Sequence, residues 1–250
     1  MTLILPRAAD VLDQVTGGQN SVGVRIPAHP VALDLLRAFG GGIAAPSANR
    51  FGRLSPTTAC AVAENLGDDV VMILDGGPCQ VGIESTIISL VGEAQILRPG
   101  MIAREQVEAV IGPLKGQDQD ALTQLNANVK TRVPGALPSH YAPRTKLVVA
   151  ASQYLLSQAC QDIGIIAFPT TLSQLKVCRD DTVVVAPLDP ASYARMLYKE
   201  LRRLDQLNLN CILVEEVPTD GSWHGVQDRL MRAGSSNTTE SGRVLSTDCP

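Results

Sequence analysis

Between Gly112 and about Lys146 the chain loses all apolar periodicity, and this break decides what it can fold into. Gln, Asp, Asn, Gly and Pro dominate the stretch, which is too long for an idle connection inside one compact domain. The chain therefore divides into a unit over 1–113, a linker over 114–145 and a second unit over 146–234. Its 250 residues suffice for two ordinary cores. From 235 to 250 the sequence is rich in Ser, Thr, Asn and Gly and predicts a disordered tail.

In the first unit, Thr2 to Leu5 is a strand-like run, and Ser21 to Ile26 alternates like a strand before Pro27 stops it. Val31, Leu35, Leu36 and Phe39 recur at helical spacing, and Gly40-Gly41-Gly42 closes that helix. Ser55 followed by Pro56 reads as an N-cap with proline at the first helical position, predicting a helix to Leu66. Val70 to Leu74 reads as a buried strand, Glu84 to Leu90 as another, and Gln95 to Arg98 as its partner. Ala103 to Ile111 closes the unit as a short helix stopped by Gly112.

The second unit alternates strand and helix. Strands are expected at 147–149, 164–168, 182–186 and 211–214, and helices at 151–160, 190–207 and 226–232. The longest helix carries Tyr193, Met196, Leu197, Leu201 and Leu204 on one face. Such alternation predicts a small α/β domain with a parallel sheet.

Several classes are excluded early. No run of eighteen apolar residues exists, and the opening Met1 to Pro6 lacks the basic flank of a signal peptide, so the expectation is a cytoplasmic chain with no membrane span. The six cysteines include no C-x-x-C pair, and no histidines stand at metal-ligand spacing. They read as reduced thiols, and no metal site is expected. A net charge of −4 argues for weak or no direct nucleic-acid binding. Phosphate-binding loops of the G-x-x-x-x-G-K-[ST] or G-x-G-x-x-G type are absent, as is a G-x-S-x-G elbow.

What remains is a scattered set of polar residues at strand ends. Ser47 and Asn49, in Pro46-Ser47-Ala48-Asn49, either hold a turn or reach a phosphate or adenine. Arg25 stands where a strand favours an apolar residue, and is either solvent-facing or waiting for an anion. Arg98 precedes Pro99-Gly100 in a similar position, and Ser85-Thr86 brings two hydroxyls to a strand entrance. Residues 1–112 contain no lysine, so arginine alone would have to meet a triphosphate there.

In order, Ser21-Val22-Gly23-Val24-Arg25-Ile26-Pro27, Ala45-Pro46-Ser47-Ala48-Asn49, Leu54-Ser55-Pro56-Thr57, Glu84-Ser85-Thr86-Ile87-Ile88 and Arg98-Pro99-Gly100 resemble the YrdC-type threonylcarbamoyl-AMP synthases. The linker end Pro134-Gly135-Ala136-Leu137-Pro138-Ser139-His140-Tyr141-Ala142-Pro143 resembles the segment joining that domain to the second domain of longer members. The resemblance implies a YrdC-like twisted mixed sheet with flanking helices, followed by a small Rossmann-like α/β domain. It implies a nucleotidyltransferase that converts L-threonine, bicarbonate and ATP to threonylcarbamoyl-AMP and pyrophosphate, for threonylcarbamoyladenosine in tRNA. By the same resemblance Ser21, Ser47, Asn49, Ser55, Arg98 and Tyr141 line the ATP side, with Tyr141 in a lid. Arg25 and Ser85 hold threonine. No side chain is expected to act as a nucleophile, Mg2+ bridges phosphate oxygens, and the product passes to a tRNA-modifying complex.

The resemblance also carries a departure. Family members have a threonine-contacting loop and a Lys-x-Arg pair ahead of the strand that here begins at Thr2. The expectation is an incomplete first domain with little or no synthase activity. Two other readings compete: a non-catalytic module that binds RNA or protein, which the acidic charge disfavours, and a carbamoyl-transferring enzyme of hydrogenase maturation, whose cysteine motifs are missing.

Overall fold

A computed structural model describes residues 1–116, 141–158, 162–175 and 179–234. Most of the linker expected over 114–145, and the whole tail over 235–250, lie outside them.

The first sheet has the order β2-β1-β3-β4 and mixes directions. Strand β1 (Thr2–Pro6) pairs antiparallel with β2 (Ser21–Val24) and parallel with β3 (Ile87–Ser89), and β3 pairs antiparallel with β4 (Gln95–Arg98). Its buried side chains form two small clusters, Ile4 with Ile87 and Leu97, and Ile88 with Val107 and Leu114. Helix α1 (Asp13–Thr16) is one turn. Helix α2 (Pro30–Phe39) starts on Pro30 and ends on Gly40 in the left-handed conformation, whose N–H donates to Leu36 O. Helix α3 (Ala59–Leu66) and helix α4 (Arg104–Ile111) complete this half.

Three local expectations are corrected. Helix α3 begins at Ala59 and not after Ser55: Thr58 caps it by accepting from Ala61 N–H at 3.2 Å. The Ser55 hydroxyl is turned instead toward Glu84. Val70 to Leu74 forms no strand, because no described strand pairs with it, and Val71, Met72 and Leu74 are exposed. Apolar composition supplies a strand's appetite for burial but not its partner. Finally, β3 starts at Ile87, so Glu84, Ser85 and Thr86 precede the ladder.

The second sheet is parallel throughout, in the order β5-β8-β6-β7. Its strands are β5 (Lys146–Ala150), β6 (Ile163–Ala167), β7 (Val183–Val185) and β8 (Cys211–Glu215). Helices α5 (Ser152–Ser157) and α6 (Pro169–Leu172) cover one face, where Leu155 and Leu172 meet Ile163, Ile165 and Leu213. Helices α7 (Pro190–Asp205) and α8 (His224–Gly234) cover the other. Asp189 caps α7 by accepting from Ser192 N–H at 2.8 Å, and its buried face adds Ala194 and Tyr198 to the expected stripe. The parallel sheet is the one the alternation predicted, and helices cover both of its faces. Cys211 in β8 is disulfide-bonded, against the reading of the cysteines as reduced thiols, while Cys60 and Cys79 are free.

The two halves share a core. Leu54 and Ile83 of the first, with Tyr141, join the cluster built by Tyr193, Leu197, Tyr198, Leu201 and Val226 of the second. Main chains touch directly at two glycines. A Cβ on Gly82 would lie 2.4 Å from Ala194 O, and one on Gly225 would lie 2.6 Å from Gly100 O. Gly225→Ala must therefore push α8 off the Gly100 turn, at an expected cost of about 2 kcal/mol or more. Gly42→Ala, whose Cβ meets nothing within 4 Å, should stay within about 0.5 kcal/mol. Urea midpoints of the two variants check this, and equal midpoints would contradict the contact.

Candidate functional site

The segment 84–86 leads into β3 and is held there mostly by side chains, with one main-chain bond from Thr2 N–H to Thr86 O at 2.8 Å, and this gathers polar groups around it. β3 and β4 place Ile87 opposite Arg98, with the register slipping between Ile87 and Ile88. Beyond Arg98 the chain turns so tightly that a Cβ on Gly100 would lie 2.4 Å from Thr86 N. Thr86 then clips the turn: its hydroxyl donates to Ile102 O at 3.1 Å and accepts from Ile102 N–H at 3.2 Å.

This geometry lays the Arg98 guanidinium over Ser85. Arg98 is buried, at 6% exposure. Its Nε and Nη2 donate to Ser85 O at 3.1 and 2.9 Å, and Nη2 reaches Ser85 Oγ at 3.4 Å. Its Nη1 donates to Tyr141 Oη at 3.3 Å. The Ser85 hydroxyl also pairs with Thr2 Oγ1 at 2.7 Å.

Beside it lies Glu84, whose carboxylate is saturated by the protein. Oε1 accepts from Ser55 Oγ at 2.5 Å, and Oε2 accepts from Tyr198 Oη at 3.0 Å and Arg229 Nε at 2.7 Å. Burial pushes the Glu84 carboxyl up, but the Arg229 charge, the hydrogen bonds from Ser55 and Arg229 and the Arg98 charge outweigh it, so its pKa is lowered. Burial first, then the Glu84 charge, raises the Tyr198 and Tyr141 phenols against the lowering pull of Arg229, so both stay protonated. Tyr141 itself holds a left-handed backbone, φ 62°, and its ring lies 6.0 Å from Tyr198 and 5.3 Å from the Arg229 guanidinium carbon.

Of the expected residues, then, Ser85, Arg98 and Tyr141 meet directly, and Ser55 joins them through Glu84. Asn49 stands in the adjoining loop, where Nδ2 donates to Arg50 O and Arg53 O at 3.1 and 2.8 Å. Arg53 forms a parallel bridge with Ala142, next to Tyr141. Asn49 Oδ1 is buried with no partner among the described residues. Ser47 is exposed, Ser21 opens β2 opposite Pro6, and Arg25 lies exposed beyond the end of β2, near Cys79. Among the described residues no group of three His, Cys, Asp or Glu side chains gathers to hold a metal, and no helix is long and apolar enough to cross a membrane.

Sequence reasoning missed Glu84, Tyr198 and Arg229. One signal was available: Arg229 falls on the stripe of Val226, Leu230 and Ala233, where helical period calls for an apolar residue.

Two family models match the chain: the Sua5/YciO/YrdC model, described as "Telomere recombination", over residues 1–100, and "Threonylcarbamoyl-AMP synthase, C-terminal domain" over residues 102–235. The threonylcarbamoyl-AMP synthase of Bacillus subtilis is 38% identical over 98% of this chain and 70% of its own length. That of Pyrococcus abyssi is 32% identical over 93% of this chain and 69% of its own. The crystal structure of P. abyssi Sua5 complexed with L-threonine superposes with a TM-score of 0.79 at 33% identity, covering 93% of this chain and 69% of that one.

The sign of the Glu84 shift sets a pH dependence. Its folded value is lowered, so its stabilisation is complete above the ordinary value of 4.5 and drains away as pH falls through the folded one. Glu84→Gln removes one of the two carboxylates that answer Arg229, leaving Asp228, and should cost about 1–3 kcal/mol at neutral pH. That penalty should shrink steadily below about pH 4 as wild-type Glu84 itself protonates. Urea titrations of both proteins across this range provide the check, and a pH-independent difference would refute the assignment.

Proposed function

The chain belongs to the threonylcarbamoyl-AMP synthase family, and from that premise we propose that the Ser85–Arg98–Tyr141 cluster is the wall on which it holds threonine and ATP. The family's enzymes are nucleotidyltransferases that convert L-threonine, bicarbonate and ATP to threonylcarbamoyl-AMP and pyrophosphate for tRNA modification. The threonine amine and bicarbonate condense to a carbamate with loss of water, and a carbamate oxygen attacks the α-phosphorus as pyrophosphate leaves. Such a step needs placement and charge neutralisation more than a nucleophilic side chain.

The observation that carries the reading is Arg98, a buried cation at a strand end whose donors fan between Ser85 and Tyr141. Placed there, it meets developing negative charge in a site screened from water. Ser85 is assigned to threonine, an amino acid that the similar P. abyssi Sua5 binds in its crystal structure. Arg25, exposed beyond the end of β2, is assigned the threonine carboxylate. Asn49 Oδ1, buried and unpartnered among the described residues, offers an acceptor to the nucleotide's amine. Ser21 and Ser47 are assigned to the nucleotide as well. Ser55 serves the site through Glu84. Magnesium enters as the phosphates' counter-ion, since no carboxylate cluster among the described residues would hold it. The product's onward acceptor is a tRNA-modifying complex in the cytoplasm, and the units 1–113 and 146–234 divide binding from bracing.

Calorimetric titration of L-threonine in the presence of ATP and bicarbonate tests the assignment. Arg98→Ala should weaken threonine uptake roughly ten- to hundredfold, as expected for a lost hydrogen bond to a charged group. Pyrophosphate released in step with threonine consumed reads turnover in the same sample. Threonine binding that is indifferent to ATP and to Arg98 would overturn the reading.

A further inference from the structure

The largest fully buried side chain in the described protein is Arg229, and it serves the half of the chain it does not belong to. It rises from α8, on the second sheet, with a side-chain exposure of 0%. Nε donates to Glu84 Oε2 at 2.7 Å and Nη2 to Glu84 O at 3.2 Å. Nη1 donates to Pro99 O at 3.0 Å, and the guanidinium stacks on the Tyr141 ring. Asp228, also fully buried, balances it by accepting from Arg229 and from Arg232 Nε, the latter at 2.9 Å. Gly225, one turn earlier, lets α8 come this close to Gly100.

A buried ion pair is a poor way to gain stability, because desolvation consumes most of the attraction. Apolar side chains, as at Val226 and Leu230 on the same stripe, would glue the halves together at least as well. What an arginine adds is geometry: a rigid fork with fixed donor directions. Here the fork spans the two chain segments just beyond the last pair of the β3–β4 ladder, Ile87 with Arg98, and grips Glu84 on the one and Pro99 on the other.

We propose that Arg229 is a positioning residue for the threonine and nucleotide site, clamping segments 84–86 and 98–100 so that the second half of the chain sets the geometry of the Ser85–Arg98 wall without touching substrate. The proposal rests on the assignment of that wall made above.

Three variants test it: Arg229→Lys, which keeps the charge but loses the fork, and Arg229→Met alone and together with Glu84→Gln. Removing both charges leaves neither unpaired, so the double variant should regain most of the melting temperature lost in Arg229→Met. Its threonine affinity should nevertheless stay roughly tenfold or more below wild type, because small misplacements at a site are costly. Arg229→Lys should fold and show weakened threonine uptake with faster amide exchange in peptides covering 84–90 and 98–104. A clasp that is merely structural would return affinity together with stability. That result, or unchanged affinity and exchange in Arg229→Lys, overturns the proposal. If the wild-type chain takes up no threonine, the site assignment fails. The exchange measurement then still decides whether Arg229 braces the two segments.

Discussion

A carboxylate buried away from water has to be answered from every side, and Glu84 is the point on which this structure turns. An isolated ionised carboxyl in an apolar setting is far costlier than one net hydrogen bond repays. Glu84 is therefore stable only where Ser55, Tyr198 and Arg229 converge on it. These three residues come from the loop before α3, from α7 and from α8. Satisfying one side chain thus fixes three elements against the entrance to β3, and two of them belong to the other sheet. The shared apolar core around Tyr198 and Leu197 supplies the larger part of the attraction, and the carboxylate decides the angle at which the halves meet.

Much of the fold was legible because it follows from local rules. The parallel sheet could be read from four short apolar strands alternating with helices, and α7 from its apolar stripe. Gly40 marked the end of α2 for the reason that makes it useful, a left-handed residue with no Cβ. The readings that failed depend on what lies across the fold. Ser55-Pro56 has the grammar of a helix start, yet the Ser55 hydroxyl finds a carboxylate 29 positions away and leaves the cap to Thr58. Val70 to Leu74 has the composition of a buried strand, yet pairing is a property of two segments and composition describes one.

The proposed site could be read from the sequence only as separate pieces. Ser85, Arg98 and Tyr141 could be named from ordered motifs, but their meeting required the slip in the β3–β4 register and the close turn at Gly100. Glu84 looked like the lead-in to a strand, and only its partners make it a keystone. Arg229 lies 145 positions further on, so no spacing rule links the two. A charged residue on an apolar helical stripe was the sole local trace of the arrangement.

Tyr141 shows how the pieces depend on one another. A left-handed backbone costs a non-glycine residue roughly 1–2 kcal/mol, so φ 62° persists only if the surroundings impose it. Here the imposition is complete: Ala142 N–H donates to Gly52 O at 3.1 Å, Arg98 donates to the phenol, and Arg229 and Tyr198 close on the ring. Two of these contacts come from the first half and two from the second. The residue at the end of the linker is therefore held at the seam by both halves at once. A shift in how they meet would be felt first at Tyr141 and, through its hydroxyl, at Arg98, so on the reading proposed above the seam adjusts the binding wall as well as joining the halves.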